Sequence, residues 1–217
     1  DGGRHGEPHG AGAGDDEHRD RGRECAQPVA RRDEVPRDRH AERALDRAPE
    51  DDHLTQAAAA ALSGLASWGS GDLETAHRAY SIAVERLKRV GHISDVLGCS
   101  ITLADIRITQ GRLGDALKTF EEALRLASRE GDTVHRGAAD MYVGMSRVAF
   151  ERNDLQTATA HLERAEELGE RAGLPQYPYR LRVARAALRE AEGDLAGARD
   201  LLDDANRVYV GDFSPNV

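Results

Sequence analysis

Four segments of this chain align on one another: Gly71-Asp72-Leu73, Gly111-Arg112-Leu113, Asn153-Asp154-Leu155 and Gly193-Asp194-Leu195. Their leucines stand 40, 42 and 40 residues apart. Each leucine opens the same pattern: Leu73, Ala76, Tyr80, Ala83; Leu113, Ala116, Phe120, Ala123; Leu155, Ala158, Leu162, Ala165; Leu195, Ala198, Leu202, Ala205. Spacings of three, four and three put these anchors on one helical face. Nine residues before each leucine sits a small residue, Gly64, Ala104, Ser146 or Ala186, which lets a second helix approach closely. The Gly or Asn of each turn tolerates the left-handed backbone that closes a helix. Each unit therefore reads as an αα-hairpin. Helices are predicted near 55–70 and 73–89, 94–110 and 113–129, 135–152 and 155–172, and 178–192 and 195–208. One hairpin cannot bury its apolar face alone, but stacked neighbours can, so the predicted fold is an all-α solenoid.

Composition agrees. Aromatic residues make up 4% of the 217, too few for a β-sandwich or barrel. No segment approaches the ~20 consecutive apolar residues that span a bilayer, and no secretory signal is visible. Cys25 and Cys99 cannot build a disulfide framework and fit a reducing cytoplasm, which is the expected location. A net charge of −9 argues against direct nucleic-acid binding.

The average hides a break near residue 39. Residues 1–40 contain no Leu, Ile, Met, Phe, Tyr or Trp, but eight arginines, ten acidic residues and seven glycines. Such a segment cannot offset its ordering entropy, so residues 1–38 are expected to be disordered. The mixture also has no Ser, Thr or Lys, as GC-rich DNA read in a wrong frame would give. A truncation or frame artefact is the expectation for this head, and a fragment of a longer protein for the chain. Residues 39–217 are expected to form the repeat domain: a half repeat at 39–53, carried by Ala41, Ala44 and Pro49, then repeats at about 54–92, 93–133, 134–174 and 175–211.

The sets Gly64–Ala76–Tyr80–Ala83 and Ala104–Ala116–Phe120–Ala123 resemble the tetratricopeptide repeat position for position. Leu162 and Leu202 depart from it where an aromatic is usual, and the repeats exceed the ~34 residues of that family. The stretches Arg47–His53, Ala66–Tyr80, Phe150–Leu155 and Asp212–Val217 are similar to the repeat region of the MalT-like, LuxR-type ATP-dependent regulators. That resemblance implies an ATPase module before such a region, a helix-turn-helix after it, and a sensor role for the repeats. The inducer or partner protein would bind in a concave groove lined by first helices. By the family's layout Trp68, Asp105, Arg147 and Arg180 face this groove, with Ile101, Val143 and Phe150 as its apolar floor. Trp68 and Phe150 suit anchor roles, since aromatic and Arg side chains dominate hot spots, but they equally suit gap-filling between hairpins. Asp105 and Arg147 equally suit an inter-repeat pair.

Chemistry is not signalled. The Gly-rich stretch Ala11–Asp16 lacks the Lys-Ser/Thr of a phosphate loop. His5, His9, His18 and His40 lie in a segment that cannot hold ligands at fixed geometry. Cys99 reads as a small core filler. No catalytic residue, cofactor or metal is therefore expected. The function predicted is a protein- or ligand-binding scaffold, the sensor segment of a LuxR-type regulator. The alternative is a free-standing adaptor for peptide tails. Exposed repeat ends are expected to favour self-association.

Overall fold

The computed structural model describes residue 49 and residues 51–129 and 134–209. The chain divides into Asp1–Glu34 and Val35–Val217, and all described residues belong to the second unit. The disorder expected for residues 1–38, Cys25, the four N-terminal histidines and most of the half repeat lie outside the described residues. So does the stretch Asp212–Val217.

Eight α-helices follow one another among the described residues: α1 (His53–Gly69), α2 (Leu73–Arg89), α3 (Ile93–Thr109), α4 (Leu113–Arg129), α5 (Ala138–Glu151), α6 (Leu155–Leu168), α7 (Tyr177–Ala191) and α8 (Leu195–Val208). A 3₁₀ turn, Glu170–Ala172, lies between α6 and α7. Among the described residues there is no strand. The all-α solenoid is thus observed, as four hairpins.

The hairpin turns share one hydrogen-bond scheme. The N–H of Gly71, Gly111, Asn153 and Gly193 donates to the carbonyl of Trp68, Ile108, Phe150 and Glu190, and the next N–H reaches back five residues. This is the Schellman closure, which needs a left-handed residue. Their φ angles are 86°, 73°, 59° and 86°. The following residue starts the second helix. Asp72, Asp154 and Asp194 each accept the N–H of the residue three positions on, at 3.0, 3.1 and 2.9 Å. Each satisfies a donor that the helix start would leave unpaired. Arg112 cannot do so and instead donates its Nε to Asp115 at 2.7 Å.

Two boundaries differ from the sequence reading. α5 starts at Ala138, not 135, and α6 stops at Leu168, not 172. Gly137 and Gly169, at φ 97° and 69°, break the helical run at those places. The Gly137 N–H donates to the Ala172 carbonyl at 2.8 Å, which ties the two breaks together.

Helices pack within each hairpin, and each second helix packs on the next first helix. α5 also touches both α3 and α7 directly. Two apolar clusters result. One holds Ala57, Tyr80, Ala83, Val96, Cys99 and Ile106. The larger holds Leu97, Ile101, Phe120, Met141, Val148 and Leu162. α3 supplies both, from opposite sides. The small residues Gly64, Ala104, Ser146 and Ala186 are all buried.

Candidate functional site

The wall formed by the first helices carries four charged residues in two pairs. Arg147 of α5 donates to Asp105 of α3 at 3.2 Å. Arg180 of α7 donates to Oδ1 of Asp140 of α5 at 3.1 Å. Asp140 and Arg147 are seven residues apart, two turns along the same helix, so they share a face. The pairs thus link three successive hairpins.

Burial raises the carboxyl pKa of both Asp105 and Asp140 above its ordinary value. The nearby guanidinium groups of Arg147 and Arg180 pull the Asp105 value down, and hydrogen bonding from Leu174 pulls Asp140 down, but burial prevails. Asp140 also accepts the Leu174 N–H at 2.8 Å, through Oδ2. It therefore fastens the connection between α6 and α7 onto α5. The Asp105–Arg147 pair is more open, with Arg147 half exposed, and such a pair contributes about 0.2–1 kcal/mol.

Of the five residues singled out by sequence, the structure brings Asp105 and Arg147 into contact. It sets Arg180 beside them through Asp140, which sequence reasoning missed. Asp140 is an acid flanked by Ala138, Ala139, Met141 and Val143, so a carboxylate inside an apolar helical run was the available signal. Trp68 and Phe150 are not brought together. Trp68 is partly buried against the N-terminal cluster and Phe150 against the larger one. Ile101 and Val143 are buried in the inter-hairpin core.

Two further features shape this wall. Gly144 of α5 lies against the ring of Phe120, so that a Cβ there would overlap it. Gly64 stands in the same relation to Tyr80, at 2.8 Å. The start of α7 is held by Tyr177, whose buried hydroxyl donates to the Ala165 carbonyl at 2.8 Å. Pro178 sits in the first turn of α7, where its missing N–H has no helical partner to lose.

Burial pushes the Cys99 thiol up to about 12, which keeps it protonated and inert. Among the described residues no group of three or more His, Cys, Asp or Glu side chains is placed to hold a metal ion. Among the same residues no helix is long and apolar enough to cross a membrane.

No curated protein matches the sequence. Solved structures match the fold. BtubC (BKLC) from P. vanneervenii superposes with a TM-score of 0.58 at 20% identity, covering 79% of this chain and 70% of that one. A putative kinesin light chain from Podosopora anserina, described as having nearly identical TPR-like repeats, gives a TM-score of 0.53 at 15% identity. That match covers 79% of this chain and 84% of the other. At such identities the likeness concerns the fold alone. The family model described as the MalT-like TPR region matches residues 27–217, which take in every helix above and the turns between them. With its helical hairpins, alanine-packed second helices and left-handed turns, the chain belongs to the MalT-like TPR family.

Proposed function

We propose that this repeat scaffold is the sensor and interaction segment of a LuxR-type transcriptional regulator, acting in the cytoplasm. The match of residues 27–217 to the MalT-like TPR region carries this reading. In it, the repeats at about 54–92, 93–133, 134–174 and 175–211 present first-helix residues to a protein partner or small-molecule inducer. Trp68, Asp105, Arg147, Phe150 and Arg180 are the contact candidates. The scaffold contributes binding, with ATP hydrolysis and DNA recognition supplied elsewhere in the regulator. A ligand that prefers one arrangement of the wall shifts the regulator's population by its differential affinity.

The inter-hairpin pairs support a binding wall with two settings. Arg147 is held by one exposed contact and is free to exchange Asp105 for a ligand acceptor at small cost. Arg180, tied to a buried carboxylate, is the fixed member.

Isothermal titration of the full chain with a panel of oligosaccharides and partner-derived peptides tests the proposal. A saturable heat that Arg147→Ala weakens, with helical content unchanged by circular dichroism, is the expected result. Absence of binding across the panel, or binding indifferent to Arg147 and Trp68 substitutions, overturns it. The adaptor reading is separated by the flanking DNA, where an ATPase frame upstream and a helix-turn-helix frame downstream favour the regulator.

A further inference from the structure

The second helices α2 and α4 both pack on α3, and a cleft of about 180 Å³ lies between them. That is room for a molecule of several heavy atoms. Ser100 and Asp105 are five residues apart on α3, roughly 140° around the helix, so the cleft and the Asp105–Arg147 contact lie on different sides of it. The cleft is open because of what three repeat positions carry. Ser100 stands thirteen residues before its repeat leucine, and Thr119 and Glu122 stand six and nine after it. The same positions one repeat later are Tyr142, His161 and Arg164. There Tyr142 meets both of the others: its ring centroid is 6.1 Å from that of His161, and the Arg164 guanidinium interacts with it. Where the later interval holds a tyrosine ring, the earlier one holds only a serine side chain.

We propose that this cleft binds a primary ammonium group carried on a short aliphatic chain. Ser81 and Thr119 donate their hydroxyl hydrogens to the His77 and Asp115 carbonyls of their own helices, at 2.8 and 2.9 Å. What they offer the cleft is therefore lone pairs. Ser100 is 3% exposed, lines the cleft, and makes no side-chain hydrogen bond to another described residue. A buried hydroxyl without a partner has lost its hydration uncompensated, so a ligand that pairs with it gains. An ammonium brings three donors and no acceptor, the complement of this set. Val84, Val96, Leu103 and Ala123 supply an apolar wall for its methylenes.

The charges at the rim favour the same ligand. Two carboxylates, Glu85 and Glu122, stand against one cation, Lys88, which leaves the lining with a net −1. Lys88 already engages Glu85 at 2.8 Å, whereas Glu122 has a looser contact with Arg125 at 3.8 Å. Glu122 is thus the carboxylate open to the ligand, and Lys88 is the ligand's competitor for Glu85. An anion meets repulsion from the same pair of glutamates. A neutral alcohol satisfies at most one of the acceptors with its single donor and gains nothing from the charge.

Amide chemical shifts of the full 217-residue chain, titrated with n-butylamine at neutral pH, test this. Saturable shifts are expected at Ser81, Ser100 and Thr119. The uncharged isostere n-butanol should bind at least about threefold more weakly, and butyrate should not bind. Ser100→Ala should weaken n-butylamine by about threefold or more through loss of the buried hydroxyl. Glu122→Gln should weaken it by about two- to fivefold, and Lys88→Ala should tighten it by freeing Glu85. Glu122 and Lys88 are exposed, so these two variants leave the packing intact. Ser100→Tyr should abolish binding by setting a ring where Tyr142 sets one, with circular dichroism to check the fold. Nα-acetyl-lysine methylamide, titrated in parallel, separates the two sources of such a group. Binding equal to that of n-butylamine points to a lysine side chain of a partner, and binding of n-butylamine alone points to a free amine; either supports the site. No saturable shift at these residues, equal binding of n-butanol, or an affinity indifferent to both Ser100→Ala and Glu122→Gln overturns the proposal.

Discussion

Asp140 offers a sharp perturbation, because one carboxylate joins three elements. Its side chain is 0% exposed, whereas Arg180, its partner, is 31% exposed. Asp140→Ala leaves the Leu174 N–H without its 2.8 Å acceptor and Arg180 without its 3.1 Å one. A hydrogen bond to a buried charged group is worth about 1.5–3 kcal/mol. Stranding a fully buried partner charge would raise the loss to about 3–5 kcal/mol, but Arg180 retains access to water and escapes most of that. Relief of the carboxylate's own desolvation offsets a further part. The expected cost of Asp140→Ala is about 2 kcal/mol.

Asp140→Asn keeps an acceptor for Leu174 and removes the ionic desolvation, so its cost should stay below about 1 kcal/mol. Urea unfolding followed by circular dichroism measures both. pH adds a sign. The folded-state pKa of Asp140 lies above its ordinary 3.8, so the native chain holds this proton more tightly than the unfolded one. Its contribution to stability is greatest below 3.8 and falls as pH rises through the raised value. Wild type should therefore gain on Asp140→Asn as pH is lowered from neutral, by at most about 1.4 kcal/mol per pH unit. An Asp140→Ala chain within about 0.5 kcal/mol of wild type at neutral pH would refute the reasoning, since a lost buried hydrogen bond exceeds that. An opposite pH trend would refute the burial argument by itself.

Other outcomes follow from the packing. Gly144→Ala drives a Cβ into the Phe120 ring and should cost about 1–3 kcal/mol despite better helix propensity, and adding Phe120→Leu should restore part of it. Asn153→Gly should be neutral or slightly stabilising, and Asn153→Ala destabilising by about 1 kcal/mol, because φ there is 59°. Thermal melts distinguish the two. Cys99 should resist a maleimide reagent at neutral pH in the native chain and react once urea unfolds it, as read by mass spectrometry.

The repeat register was legible because four turns share chemistry that few other sequences satisfy. Gly71, Gly111, Asn153 and Gly193 each fall where a left-handed residue closes a helix. The same logic, applied to the hairpins alone, missed the breaks at Gly137 and Gly169. These depend on a tertiary bond, from the Gly137 N–H to Ala172, that no local pattern announces. Among the candidate residues, Asp105 and Arg147 suit an inter-repeat pair by sequence, and the structure makes them partners. Arg180 stands in the sequence reading without its partner, because the apolar run around Asp140 marks a buried carboxylate but not what it binds. Only the fold shows that Leu174 arrives there from the next connection. Gly144 was passed over for a similar reason. The small residue expected in α5 is Ser146, which is buried, while Gly144 accommodates Phe120 from the hairpin before.

The two-sided burial of α3 bears on where this chain can be cut. Val96, Cys99 and Ile106 point into one cluster and Leu97, Ile101, Ala104 and Ile108 into the other. A truncation between α2 and α3 would turn the first set into a raw apolar surface, whereas one after α3 would do the same to the second. No hairpin boundary in this half of the molecule is a clean seam, so shortened versions for binding studies need a replacement cap with a polar outer face. The same helix makes the two clusters one unit in unfolding: loosening either removes half of the packing that orders α3, and with it the footing of Asp105.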